Sequence, residues 1–115
     1  MQHGFGFVAI LVHIATFSAS HAGDLLVAKD GAEGVALTRQ NSPDLVLMDI
    51  SLPGMDGYEA TRRIRETFQA LPIIGLSAHA MPGEAAKALA AGCTDYLTKP
   101  VDEDLLLRKL KDYLG

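Results

Sequence analysis

Three polar residues stand where apolar stretches stop: Asp49 after Leu45–Met48, Ser77 after Ile73–Leu76, and Lys99 after Tyr96-Leu97-Thr98. A lone carboxylate at a buried strand end is costly, and a neighbouring ammonium group offsets that cost. An aspartate carboxylate is also a competent nucleophile for phosphoryl transfer, giving an aspartyl-phosphate. The acyl phosphate oxygens then need a cation and hydrogen-bond donors. Lys99 offers the charge, and the Ser77 hydroxyl and loop amides offer the donors. For any one of these residues a structural ion pair or a helix cap is the simpler explanation. Three strand ends in register favour the chemical one.

The elements that must position them follow from periodicity. Leu25 to Ala28 is a short apolar run stopped by the turn formers Lys29-Asp30-Gly31. The spacing predicts a helix over 32–40, with Val35, Ala36 and Leu37 inward and Glu33 and Arg39 outward. Asn41-Ser42-Pro43 closes it, because the residue before a proline is pushed out of helical geometry. Leu45 to Met48 is an uninterrupted apolar run, as suits a strand buried on both faces of a parallel sheet. After the turn-rich segment 52–57, a helix is predicted over 58–68, with Ala60, Ile64 and Phe68 on one face and Arg62, Arg63, Arg65 and Glu66 on the wet side. Ile73 to Ser77 is a third strand. The next helix is expected to carry Pro82 in its first turn and to end at Gly92. Asp95 to Thr98 is a fourth strand, and Asp102 caps a last helix over 103–113 with Leu106, Leu110 and Tyr113 inward. Alternating strands and helices imply a parallel sheet covered on both faces, and such sheets bind ligands at the carboxyl ends of their strands.

Composition sets the class. The chain has 115 residues, 49% of them apolar, and a net charge of −4. That is one domain with a sizeable core, and without the clustered basic residues of a nucleic-acid surface. The single cysteine, Cys93, forms no internal disulfide, fits a reducing compartment, and reads as a small buried filler. The charge pattern divides the chain in two: residues 1–23 contain no Asp, Glu, Lys or Arg, and all 24 charged side chains lie within 24–115. The apolar stretch 5–17 is shorter than the about 20 residues of a membrane span. Ser20-His21-Ala22 looks like a signal-peptidase site, but no basic segment precedes it. We therefore expect a cytoplasmic protein with no membrane association. His3, His13 and His21 share no helix face beyond a loose relation between His13 and His21, and are read as incidental rather than metal ligands.

From Asp24 to Leu114 the sequence resembles the receiver domains of two-component response regulators (the CheY-like superfamily), of the hybrid-kinase or single-domain type. Pro43 to Gly57, with Asp49 inside it, is similar to the phosphoacceptor strand and loop; Leu76-Ser77-Ala78 and Tyr96-Leu97-Thr98-Lys99-Pro100 are similar to the hydroxyl and lysine strand ends. The resemblance implies a flavodoxin-like three-layer α/β sandwich with a parallel (βα)5-type sheet. It implies that Asp49 accepts phosphate from a histidine kinase or phosphotransfer protein. Lys99 would contact the phosphoryl group, Ser77 would move toward it, and Tyr96 would rotate inward. The Lys99–Pro100 peptide would be cis. A magnesium ion would be held by Asp49, the Ser51 backbone carbonyl and an acidic pair. The partner face, or a homodimer face, would be formed by 84–91, Tyr96 and 102–113. Any catalysis would be limited to phosphorylation and dephosphorylation of Asp49 itself.

The resemblance fails at the start. Receivers of this family open on a strand that ends in two acidic residues, and no acidic residue precedes Asp24. One registration puts Phe5 and Gly6 at the acidic positions. Another takes 10–14 as the first strand, puts Ala15 and Thr16 there, and leaves too few residues for a helical crossover. The first strand is thus expected to be degenerate or missing. A degenerate receiver, a misassigned start or shifted reading frame, and a partner-binding (or self-associating) N-terminal segment all fit this break. The alternative function is a pseudo-receiver that works as an interaction module without phosphorylation. A carboxylate-based hydrolase would want a second acid; Asp56 is close, but it is read as shaping its loop.

Overall fold

In the computed structural model, residues 8–12, 24–28, 30–50, 57–77 and 82–114 are described. They form β1 (Val8–Val12), β2 (Asp24–Ala28), α1 (Gly31–Asn41), β3 (Leu45–Asp49), α2 (Gly57–Arg65), β4 (Ile73–Ser77), α3 (Glu84–Ala91), β5 (Asp95–Thr98) and α4 (Glu103–Leu114). The strands build one sheet in the order β2-β1-β3-β4-β5. β3, β4 and β5 run parallel, with Asp49 opposite Leu76 and Ser77 opposite Thr98. The chain has the expected α/β architecture, and its parallel strands carry their polar residues to a common edge.

Two apolar layers sandwich the parallel strands. On one face Val46, Met48 and Ile73 pack with Val35 of α1, Ala60 and Ile64 of α2, and Ala88 of α3. On the other, Leu45, Ile74, Leu76 and Leu97 pack with Leu110, Leu106 and Tyr113 of α4. Neighbouring residues of a strand point to opposite faces, so β3 and β4, buried on both, are apolar throughout up to their last residue.

The first strand, expected to be degenerate or missing, is present but departs from the all-parallel pattern. β1 takes an interior position between β2 and β3 but runs antiparallel to both, with Val8 opposite Met48 and Ala28, and Val12 opposite Asp24. The reason is backbone pairing. β2 and β3 both need a partner along this edge, and an apolar run of five residues supplies one. Only residues 13–23 separate β1 from β2. A parallel connection needs a dozen or more residues and usually a helix; an antiparallel one does not.

Local chemistry sets the other boundaries. Asp30 caps α1 by accepting from the Glu33 N–H at 2.9 Å, and Ser42 ends it in the left-handed region at φ 48°. The buried stripe of α1 is Gly31, Gly34, Val35 and Thr38; Ala36 falls outside this i, i+3, i+4, i+7 set and is exposed. α2 ends at Arg65 rather than Phe68. Its exit tightens into i→i+3 bonds, Glu66 N–H to Arg63 O and Thr67 N–H to Ile64 O, and this still packs Phe68 on the core. Pro82 precedes α3 instead of entering it, because Gly83 at φ 85° is the N-cap and breaks the helical phase. Gly92 at φ 117° ends α3, and the Asp102 carboxylate caps α4 through the N–H groups of Asp104 and Leu105.

Candidate functional site

The site is built by backbone hydrogen bonds between strand ends. Ile50 N–H donates to Leu76 O at 2.8 Å, and Lys99 N–H donates to Ser77 O at 2.7 Å. These bonds carry β3, β4 and β5 into register beyond their last residues and bring Asp49, Ser77 and Lys99 to one edge. Gly57 N–H donates to Ile50 O at 2.9 Å and closes the loop that leaves Asp49. Gly57 is required there: a Cβ would lie 2.5 Å from the Asp49 carbonyl oxygen.

Asp49 is 1% exposed, and its carboxylate Oδ2 accepts from Lys99 Nζ at 2.6 Å. The lysine side chain keeps 28% of its surface exposed, so its ammonium end bridges the buried acid and the solvent edge. The Lys99–Pro100 peptide is cis. Ser77 is buried, and Tyr96 packs on the Val46, Met48 and Ile73 layer beside Tyr58.

Strand alternation divides these residues between the two faces. Asp49 follows Met48 and shares the α4 side with Leu45, Leu76 and Leu97, as does Lys99, two residues past Leu97. Ser77 follows Leu76 and shares the opposite side with Ile73, where Tyr96 and the α2 and α3 helices lie. The acid–lysine pair and the hydroxyl–aromatic pair thus approach the same edge from opposite sides of the sheet.

Among the described residues, the donors around Asp49 do not complete the magnesium site implied by the resemblance. β1 reaches the Asp49 edge with its N-terminal end, Val8 beside Met48, and residues 1–7 contain no carboxylate. Asp24 lies at the far edge opposite Val12. Asp30 is engaged as the α1 cap. Among the described residues no group of three His, Cys, Asp or Glu side chains could hold a metal ion. Ser51, whose carbonyl is an expected ligand, lies outside the described residues, as do Asp56, His3, His13, His21 and the segments 5–6 and 15–16. No helix among the described residues is long and apolar enough to cross a membrane.

Two features escaped sequence reading. Arg65 is not part of the wet face of α2. Its guanidinium donates to Gly92 O at 2.8 Å, Phe68 O at 2.9 Å and Thr94 Oγ1 at 3.1 Å, fastening α2 to the turn before β5, and burial lowers its pKa. The Tyr58 hydroxyl donates to Glu84 Oε2, joining the first turns of α2 and α3. A partly apolar helix face ending in arginine could have flagged the first; nothing local flags the second. Cys93 is buried against Gly75 and Thr61, and burial pushes its thiol pKa up, as suits a small buried filler.

Comparison with known proteins is consistent along nearly the whole chain. A family model, the response regulator receiver domain, matches residues 8–111. Protein PilH of Pseudomonas aeruginosa is 41% identical over 97 residues, covering 83% of this chain and 80% of PilH. The crystal structure of the receiver domain of sensor histidine kinase PA1611 from P. aeruginosa, with a magnesium ion in its active-site cleft, superposes with a TM-score of 0.69 at 41% identity over 76% of this chain and 74% of that one. The receiver domain of Saccharomyces cerevisiae Ssk1, co-crystallised with the phosphotransfer protein Ypd1, gives a TM-score of 0.70 at 33% identity over 75% and 68%. Of two sensor proteins that it also matches, the chain spans only 12% and 9%.

Proposed function

Because the chain belongs to the response regulator receiver domain family, we propose that Asp49 is the phosphoacceptor through which it works in a two-component phosphorelay. The observation that carries this reading is the buried Asp49 carboxylate with Lys99 Nζ at 2.6 Å, at the carboxyl edge of parallel strands. A phosphohistidine on a histidine kinase or phosphotransfer protein is the donor. A carboxylate oxygen of Asp49 attacks phosphorus in line. The O–P bond forms as the P–N bond breaks, and the electron pair returns to the imidazole nitrogen, which takes up a proton. Lys99 lowers the charge repulsion of the approach and moves its donors onto the phosphoryl oxygens. Ser77 then donates its hydroxyl to the group, and Tyr96, on the same side of the sheet, follows it inward. The face of α3, Tyr96 and α4 carries the change to the partner. The protein is a cytoplasmic signalling module, and its chemistry is confined to the phosphate on Asp49.

The test is adduct formation with beryllofluoride, read by fluorine NMR, and phosphoryl transfer from a phosphorylated histidine phosphotransfer protein, read by intact mass. We expect a single adduct that Asp49→Asn abolishes. Absence of any adduct, even at high magnesium, would sink the phosphoacceptor reading.

A second reading is favoured by the missing acidic pair and by the reversed β1, which brings no carboxylate to Asp49. Here Asp49 and Lys99 form a permanent ion pair in a pseudo-receiver, and the partner face works in one state. This version predicts partner binding unchanged in Asp49→Ala. Beryllofluoride titrations with and without magnesium separate it from the first.

A further inference from the structure

We propose that Tyr58 and Glu84 are a positioning pair that holds the first turn of α3 in its resting place and so sets the ease with which Asp49 is charged. The proposal rests on the phosphoacceptor reading above. It starts from how little else among the described residues holds that turn. Only Ala88 and Ala91 of α3 are buried, both in its second half, and both are small. Gly83 caps the helix without any side chain, and Ala85, Ala86 and Lys87 are exposed. Glu84 is the exception: its carboxylate accepts the Tyr58 hydroxyl across the gap between α2 and α3.

Tyr58 is well anchored for this role. Its ring packs on the core layer near Tyr96, and burial together with Glu84 pushes its phenol pKa up, so the donor proton is held. Position matters as much as strength. Tyr58 is the second residue after the loop that leaves Asp49, and Glu84 begins the helix after the loop that leaves Ser77. One hydrogen bond therefore ties together the far ends of both loops. It lies on the side of the sheet shared by Ser77 and Tyr96. A displacement of Ser77 toward Asp49 pulls on Glu84, seven residues further along the chain, and the Tyr58 bond resists it. Positioning residues of this kind act on an equilibrium, so their removal favours the charged state.

The experiment uses Tyr58→Phe, which keeps the ring, alongside Glu84→Gln, which keeps an acceptor, and Glu84→Ala. Beryllofluoride is titrated into each at fixed magnesium and followed by fluorine NMR, and amide exchange is followed at Lys87 and Ala88. We expect Tyr58→Phe and Glu84→Ala to take beryllofluoride about fivefold or more tightly than the parent, the lower end of ordinary coupling, with faster exchange at both amides. Glu84→Gln should stay close to the parent. Faster exchange with unchanged beryllofluoride affinity would show a merely structural bond and overturn the proposal. If the parent takes the adduct and the variants match it, the positioning role alone is wrong. If the parent takes none, the phosphoacceptor reading falls and the proposal falls with it.

Discussion

The buried Asp49 side chain accepts a hydrogen bond from Lys99, fifty residues away along the chain. The same device recurs at the other end of β5. Asp95 accepts from Lys109 Nζ at 2.7 Å and from the Tyr113 hydroxyl at 2.9 Å, and this docks α4 on the sheet. Burial works against ionisation of Asp95, but Lys109, the Tyr96 N–H and Tyr113 outweigh it, and the net effect lowers its pKa. A carboxyl lowered in the folded state contributes stability that is complete above its unfolded pKa of about 4 and is lost as pH falls through the folded value. Urea denaturation at pH 6, 4 and 3 should show the parent losing stability across this window. Asp95→Asn should start less stable at pH 6 and fall less; a parallel fall would exclude Asp95 as a source. Asp49 and Lys99 were legible in the sequence because each ends an apolar run. The Asp95 cluster was not, because its members are separated by a turn and most of a helix.

At the scale of elements, turn chemistry did most of the positioning. Gly57 opens α2 with no room for a side chain: a Cβ would meet Asp49 O at 2.5 Å and Ile50 Cα at 2.7 Å, both backbone atoms that move only with the strand end. Gly57→Ala should therefore destabilise the domain by about 2 kcal/mol despite alanine's better helix propensity. Denaturant titration checks this, and an unchanged midpoint would refute the crowding. The strands β3, β4 and β5 lie where apolar runs and turn residues predict. Ala36, Arg65 and Pro82 depart from prediction for reasons beyond the local pattern: the phase of the buried stripe, carbonyl acceptors contributed by another segment, and a glycine cap at positive φ.

For the whole molecule, β1 decides whether the sheet is continuous. It lies between β2 and β3, with Ile10 opposite both Leu26 and Val46. A proline there removes a ladder donor in an interior strand. Ile10→Pro should abolish cooperative thermal unfolding by circular dichroism; a parent-like transition would mean that β1 contributes little to the fold. Sequence alone determined the repeating strand–helix units from Asp24 onward and the residues at their strand ends, because periodicity, caps and turn formers act within a few residues. It also excluded an acidic pair before Asp24. Only the tertiary structure decided the direction of β1, the sides from which Asp49–Lys99 and Ser77–Tyr96 approach the edge, and the Tyr58–Glu84 contact. Each depends on which distant backbone or side chain is brought alongside, and chain packing, rather than local preference, sets that.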